Sequence, residues 1–430
     1  MSTSTRRNFL TILAVPGLVL GASPAVKALG RTATFEPDPK ADDAAVFAAA
    51  REHFLIPAGV AYGNTGTLGA SPREVVDALN QGVIRLETEL ADWPYEHPDG
   101  EPLTGYQPLL DVRGAVGQFI NAPAADIALT QNATMGMNFL ANGLDLAAGD
   151  EVISTDQEHG GCISPWRLLA KRRGIVLKEL PLEPVLAGGP DAIVQLFESA
   201  MTPRTKVVMF SHITSGLGAR MPARELCALA RSRGALALVD GAQAVGQIQV
   251  DVQAIGCDAY VGSPHKWMLA PKGTGFLYLR HDVQDRFWTT LASYQWDNHA
   301  DGAFRFMQYG TGSVPVVEGL SAALRFIGKI GMPRIEQWDA SLTKRLRDGL
   351  ASIPAVRIAS PADTRLTAAI TTFRVNGVKA KALQDALWAK RVRVRAQNDE
   401  RGVRLSAHMY ISPADVDVIV DVTREVAARA

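Results

Sequence analysis

The sequence predicts an α/β protein built as a large domain with a mostly parallel sheet covered by helices and a smaller α+β domain. Two observations predict it. From about residue 126 to residue 263, six short apolar runs alternate with amphipathic stretches, the rhythm of strands separated by helices in a sheet buried on both faces. After about residue 315 that rhythm gives way to long helical stretches and a few short strands, which marks a second unit.

In chain order the first six strands are DIALT, EVIST, GIVLKEL, TKVVMFS, ALALVD and CDAYVGS. Helices are expected between them near 133–146, 161–173, 190–201 and 222–233. Downstream, helices over 316–330 and 334–353 lead to the strand ITTFRV, a helix near 379–390 and the strand VRVRA. The large domain is expected over 63–314 and the smaller one over 29–62 and 315–430, with the segment before residue 62 as its N-terminal strap.

Residues 1–28 read differently. STRRNFL, Ser4 to Leu10, is followed by the apolar run TILAVPGLVLG and the small residues of ASPAVKALG. Paired arginines, an apolar run too short to span a bilayer comfortably and small residues behind it describe a cleavable export signal. With Phe9 and Leu10 after Arg6 and Arg7 it resembles a twin-arginine signal, which predicts passage through the twin-arginine translocase to the periplasm and no stable membrane span.

The 430 residues are 47% apolar, enough for a sizeable core. Lysine plus arginine number 44 and aspartate plus glutamate 44, so no net field recruits nucleic acid or an anionic membrane, and a small-molecule substrate is expected. The three cysteines, Cys162, Cys227 and Cys257, have no metal-ligand spacing and suit inert core thiols. No metal site is expected.

In a parallel sheet the chemistry gathers at the carboxyl ends of the strands. ALALVD ends on Asp240, with Gln243 in the loop beyond, and a carboxylate there either meets a ligand or caps the next turn. EVIST leads to His159, which alone reads as a structural histidine, and TKVVMFS leads to His212 and Ser215. DIALT leads to Asn132, Ala133 and Thr134, a helix start whose amides could hold an anion such as phosphate, or a plain N-cap. CDAYVGS leads to Ser263, His265 and Lys266. Pyridoxal phosphate needs that combination: an amine, an acid at the ring nitrogen, a planar group over the ring and an anion pocket.

At these residues the chain resembles the class V aminotransferase family of fold-type I pyridoxal-phosphate enzymes, which also holds cysteine desulfurases and isopenicillin N epimerase. The likeness runs from about Val60 to the end, through QNATMGMN, DQEHGGCISPW, SHITSGLG, LVDGAQAVGQ, SPHKW, YGTGS and VRLSAHMY in that order. It implies that Lys266 is the Schiff-base lysine and moves the proton at the substrate α-carbon, with Lys272 as the rival amine. Asp240 would hold the pyridinium proton, Gln243 would lie near the ring hydroxyl and His159 would stack on the ring. Ala133, Thr134, Ser263 and His265 would hold the phosphate, and Thr311 of YGTGS would reach the phosphate from the other subunit of a homodimer. Arg404 would grip the substrate α-carboxylate, whose two oxygens match its planar fork, and Ser215 stands where many relatives have an asparagine.

Departures narrow the reaction. AQNDERGV, Ala396 to Val403, lacks the loop cysteine with which desulfurases attack sulfur, and no cysteine follows Cys257. EHGG and RLSAH are closer to the isopenicillin N epimerase-like branch. The expectation is an exported enzyme acting at the α-carbon of an amino acid or an amino-acid-derived secondary metabolite, with transamination ahead of epimerisation and of C–S or other β-elimination. It resembles the exported class V enzymes that tailor the glutamyl group of fluorescent siderophores. The aromatic loops WPYEH, Trp93 to His97, and SYQWDNH, Ser293 to His299, could line the pocket or as easily be packed surface or dimer contacts, and substrate choice would be sought there first.

Overall fold

The computed structural model describes residues 34–89 and 109–430. The proposed export signal and the Trp93–His97 loop lie outside the described residues. Chain entry is anchored by aromatic packing. Helix α1 (Asp43–Glu52) is capped by the Asp42 carboxylate, which accepts from the Ala45 amide, and its Phe47 stacks on Trp338 with ring centroids 4.5 Å apart. Phe35 and Phe54 both meet Phe326. Strand β1 (Ala61–Tyr62) follows, then α2 (Arg73–Glu89) and α3 (Leu110–Ile120).

The large sheet is built from β2 (Ile127–Thr130), β3 (Glu151–Thr155), β4 (Val176–Leu180), β5 (Thr205–Ser211), β6 (Leu236–Asp240), β7 (Ala259–Gly262) and β8 (Gly275–Leu279). Their spatial order is β2-β8-β7-β6-β5-β3-β4. Strands β4, β3, β5, β6 and β7 pair in parallel, while β8 runs antiparallel between β7 and β2. Between the strands lie α4 (Ala133–Gly143), α5 (Gly160–Arg173), α6 (Gly189–Ala200), α7 (Ala223–Ser232) and the single turn α8 (Val252–Ile255). The near-continuous apolar strands are explained by burial on both faces: Val207 to Phe210 and Leu238 to Val239 are all fully buried.

The remainder is α9 (Val314–Ile330), α10 (Met332–Ala351), β9 (Val356–Ile358), β10 (Ile370–Val375), α11 (Ala380–Ala389), β11 (Val392–Arg393), β12 (Arg395–Ala396), β13 (Val403–Ser406) and α12 (Pro413–Ala427). Strands β12-β13-β10-β9 form a four-stranded antiparallel sheet. Two differences from the expected elements bear on the site. The strand expected at VRVRA is split: β11 pairs in parallel with β1, whereas β12 pairs with β13, so the chain changes sheets at Val394. The helix expected to 146 ends at Gly143, where a side chain would collide with the Trp288 carbonyl.

Two buried groups tie these units to the strand ends. His408, just beyond β13, is fully buried, with Nδ1 2.7 Å from Asp339 Oδ2 of α10 and Nε2 2.9 Å from the Trp267 carbonyl. Both neighbours accept hydrogen bonds, so Nε2 carries a proton toward Trp267 and a second proton is shared with Asp339. Burial pushes the Asp339 carboxyl up and His408 pulls it down. Glu158 bridges two strand ends, accepting from the Thr155 hydroxyl at 2.7 Å and the Ser211 hydroxyl at 2.6 Å.

Removing the imidazole strands the Asp339 carboxyl. His408→Ala should therefore cost about 3 to 5 kcal/mol, read as a lowered denaturant midpoint, and an unchanged midpoint would count against the pairing. Glu158 generates a pH test. Burial pushes its carboxyl up to about 7 from an ordinary 4.5, against the two hydroxyl bonds and with help from Asp240. The folded state then binds the proton more tightly, so stability is present at low pH and is lost as pH rises from about 4.5 through about 7. In Glu158→Gln the fall in stability between pH 5 and pH 8 should shrink, by up to about 3 kcal/mol. An identical pH slope in both proteins would mean that Glu158 is ionised throughout.

Candidate active site

Strand ends, helix starts and the small sheet converge on one cavity of about 250 Å³. Its lining includes Ala133, Thr134, His159, Ser215, Asp240, Gln243, Ser263, His265, Lys266 and Arg404, so ten residues expected from sequence are brought together. Thr311 is not among them. It lines a second cavity with Gln131, Thr274, Tyr309 and Ser313.

Lys266 sits in the loop after β7, between His265 and the fully buried Trp267. It is 8% exposed, and no hydrogen bond or ion pair joins its amine to another described side chain. Burial pushes the amine below its ordinary value while the Asp240 carboxylate opposes that shift. A lysine in this state keeps a neutral, nucleophilic fraction. The loop is held close: the Gly69 amide donates to the His265 carbonyl at 2.9 Å, and a Cβ at Gly69 would collide with the Lys266 carbonyl. Lys272 lies elsewhere, donating to the Gly69 carbonyl at 2.8 Å beside an apolar groove lined by Leu55, Val60 and Leu79.

Asp240 ends β6 and is 3% exposed. Its Oδ1 accepts from the Ala242 amide at 2.9 Å, and no cation pairs with it among the described residues. His159 caps α5, with Nδ1 accepting from the Gly161 amide at 3.1 Å, which leaves the proton on Nε2. Burial, then the Lys266 charge, push this imidazole toward neutrality. A flat, uncharged ring thus borders the same cavity as an unpaired carboxylate.

At the start of α4 the Asn132 side chain accepts from the Met135 amide at 2.9 Å. Ser263 Oγ accepts from the Ala133 amide at 3.1 Å and keeps its own proton for an anion. Thr134 crowds the start of α5, where a Cβ at Gly161 would collide with its hydroxyl. His265 lies 3.1 Å from the Thr274 carbonyl through Nδ1, and burial pushes its imidazole toward neutrality. Gln243 is clamped, donating to the Gly66 carbonyl at 2.8 Å and accepting from Trp267 Nε1 at 2.9 Å.

Arg404 enters from β13. It is 2% exposed, donates to the Ser215 carbonyl at 2.8 Å and the Thr67 hydroxyl at 2.7 Å, and leaves a buried Nε without a partner. Burial, then the neighbouring Arg395 charge, push its guanidinium down to about 10, still cationic at neutral pH. The Ser215 contribution seen here is its carbonyl. His212 turns into the core, 3.0 Å from the Tyr260 hydroxyl, and does not line the cavity.

Sequence reasoning missed Gly66, Thr67, Cys162 and Arg395 as lining residues. The glycine spacing of GNTGTLG, Gly63 to Gly69, was the available signal for the first two. Arg395 was visible only as one of three alternating arginines in RVRVR.

Comparison with known proteins places this geometry. The family described as aminotransferase class-V matches residues 104–419. The chain is 30% identical to isopenicillin N epimerase of Amycolatopsis lactamdurans over 404 residues, spanning 89% of this chain and 99% of that protein. It is 33% identical to a cysteine desulfurase of Salmonella newport (strain SL254) over 265 residues, 59% of this chain and 64% of that one. Among solved structures, a C-DES variant with glycine covalently linked to its PLP cofactor superposes with a TM-score of 0.77 at 24% identity, covering 86% of this chain and 98% of that chain. An α/β fold with a mostly parallel central sheet, a buried lysine facing an unpaired carboxylate and a match over most of its length make this chain a member of the class V aminotransferase family, whose cofactor is pyridoxal 5'-phosphate.

Proposed function

We propose that the protein is a pyridoxal-phosphate enzyme acting at the α-carbon of an amino acid or amino-acid-derived metabolite, with transamination as its reaction. The observation that carries this reading is the cavity's supply of proton carriers. Among the described residues Lys266 is the only amine in the lining, and Asp240 the only carboxylate. The cavity suits the cofactor's groups: an uncommitted amine for the aldehyde, an unpaired carboxylate for the ring nitrogen, and the α4 start with Ser263 for the phosphate.

When bound, the cofactor withdraws electrons from the substrate α-carbon and so acidifies its proton. Asp240, steadied by the Ala242 amide, would hold a proton at the ring nitrogen. His159 would offer a neutral ring for the cofactor to pack against, and Arg404 would orient the α-carboxylate. Lys266 would take up and give back the substrate α-proton, a role that one base can perform. Epimerisation is the second reading, favoured by the 30% identity to isopenicillin N epimerase across nearly the whole chain. It calls for a proton donor on the opposite face. Sulfur transfer through a cysteine is disfavoured, because Cys162, Cys227 and Cys257 are all buried with thiols pushed up by burial.

The reading extends to place and assembly. The Arg6–Arg7 leader supports export by the twin-arginine translocase to the periplasm and action on an exported metabolite such as a siderophore. The separate position of Thr311 supports a homodimer in which it serves the partner's phosphate.

The test is an absorbance titration of reconstituted protein with a panel of amino acids. A visible band that one donor converts to the pyridoxamine form, and that Lys266→Ala lacks, is expected. A band that persists while α-proton exchange proceeds would replace transamination with epimerisation.

A further inference from the structure

The cavity wall opposite in origin to the α4 start is built by the small sheet, and it carries more positive charge than one α-carboxylate needs. Arg395 on β12 and Arg404 on β13 are direct register partners in an antiparallel pair, and both line the cavity. Side chains so placed stand side by side on one face. Thr67 lies between them: its hydroxyl oxygen accepts from Arg404 Nη2 at 2.7 Å and from Arg395 Nη1 at 3.5 Å, while its own proton goes to Asn64 Oδ1 at 2.8 Å. Arg395 is felt electrostatically at Arg404, at His159 and at Lys266.

Neither guanidinium has a carboxylate within ion-pair distance among the described residues. Their neighbours are engaged otherwise. Arg401 pairs with Glu183 at 3.3 Å, and Arg393 stacks over the Trp388 ring at 3.8 Å from its centroid. Two like charges held together without counter-ions repel, an arrangement that an anionic ligand relieves. The proposed phosphate site is elsewhere, at the α4 start and Ser263, and Asp240 is reserved for the ring nitrogen.

We infer that the substrate carries two anionic groups, and that Arg395 receives the second. Resting on the proposed function, this names the substrate class: an α-amino acid with a further carboxylate on its side chain or at the far end of an attached chain. Arg404, clamped by Ser215 and Thr67, orients the α-carboxylate. Arg395, exposed at the mouth and held only by the long Thr67 contact, can follow a second group of variable reach.

The experiment uses holoenzyme and unreactive probes, so that binding is read apart from turnover. Glutarate, with two carboxylates, and valerate, with one on a chain of equal carbon number, are titrated against the visible cofactor band. Glutarate should bind roughly tenfold tighter, the worth of one charge-assisted contact at a partly exposed site. In Arg395→Gln the two probes should bind within about twofold of each other, while Arg395→Lys should keep part of the preference. Equal binding of both probes to the wild type would mean that the arginines share one carboxylate, and would overturn the inference. So would a preference that survives Arg395→Gln. If glutarate is preferred but no amino acid alters the band, the reaction reading fails and the two-anion site stands.

Discussion

The site depends on keeping the Lys266 amine out of water beside a carboxylate that has no ion-pair partner among the described residues. Burial lowers the amine and Asp240 raises it, so the two opposing effects set how much neutral amine is available. Everything around them serves that balance. The strap at Gly69 closes over the lysine's own carbonyl, Trp267 fills the space behind it and Gln243 is fastened to that indole. His159 contributes a ring made neutral by the same loss of water.

Much of this was legible in the sequence because parallel strands announce themselves. A strand buried on both faces must be apolar throughout, so EVIST, TKVVMFS and ALALVD stand out, and the residues that follow them are by topology at one rim. Strand β8 was less visible, since GFLYL follows the lysine loop without an intervening helix and returns antiparallel. The split of RVRVR between two sheets had no local signal. Both halves carry the same alternation, and only pairing with β1 on one side and β13 on the other separates Arg393 from Arg395.

Cysteine and histidine show the limits of reading residue types singly. Cys162 was expected to be an inert core thiol, and it is buried, yet it also borders the cavity. His212 stood at an equally promising strand end but faces Tyr260, with burial pushing its imidazole down to about 3. Sequence position brought both to the rim, and side-chain direction sent one outward and the other into the core.

The grip of His408 on Trp267 has a mechanical consequence. Arg404 and His408 are carried by one strand and the turn that leaves it, and His408 is bonded to the residue next to Lys266. Lys266 and Arg404 therefore belong to a single stiff body. A swing of the small sheet as a rigid lid would break this bond. The spacing between the Lys266 amine and the Arg404 guanidinium is thereby held by the fold itself.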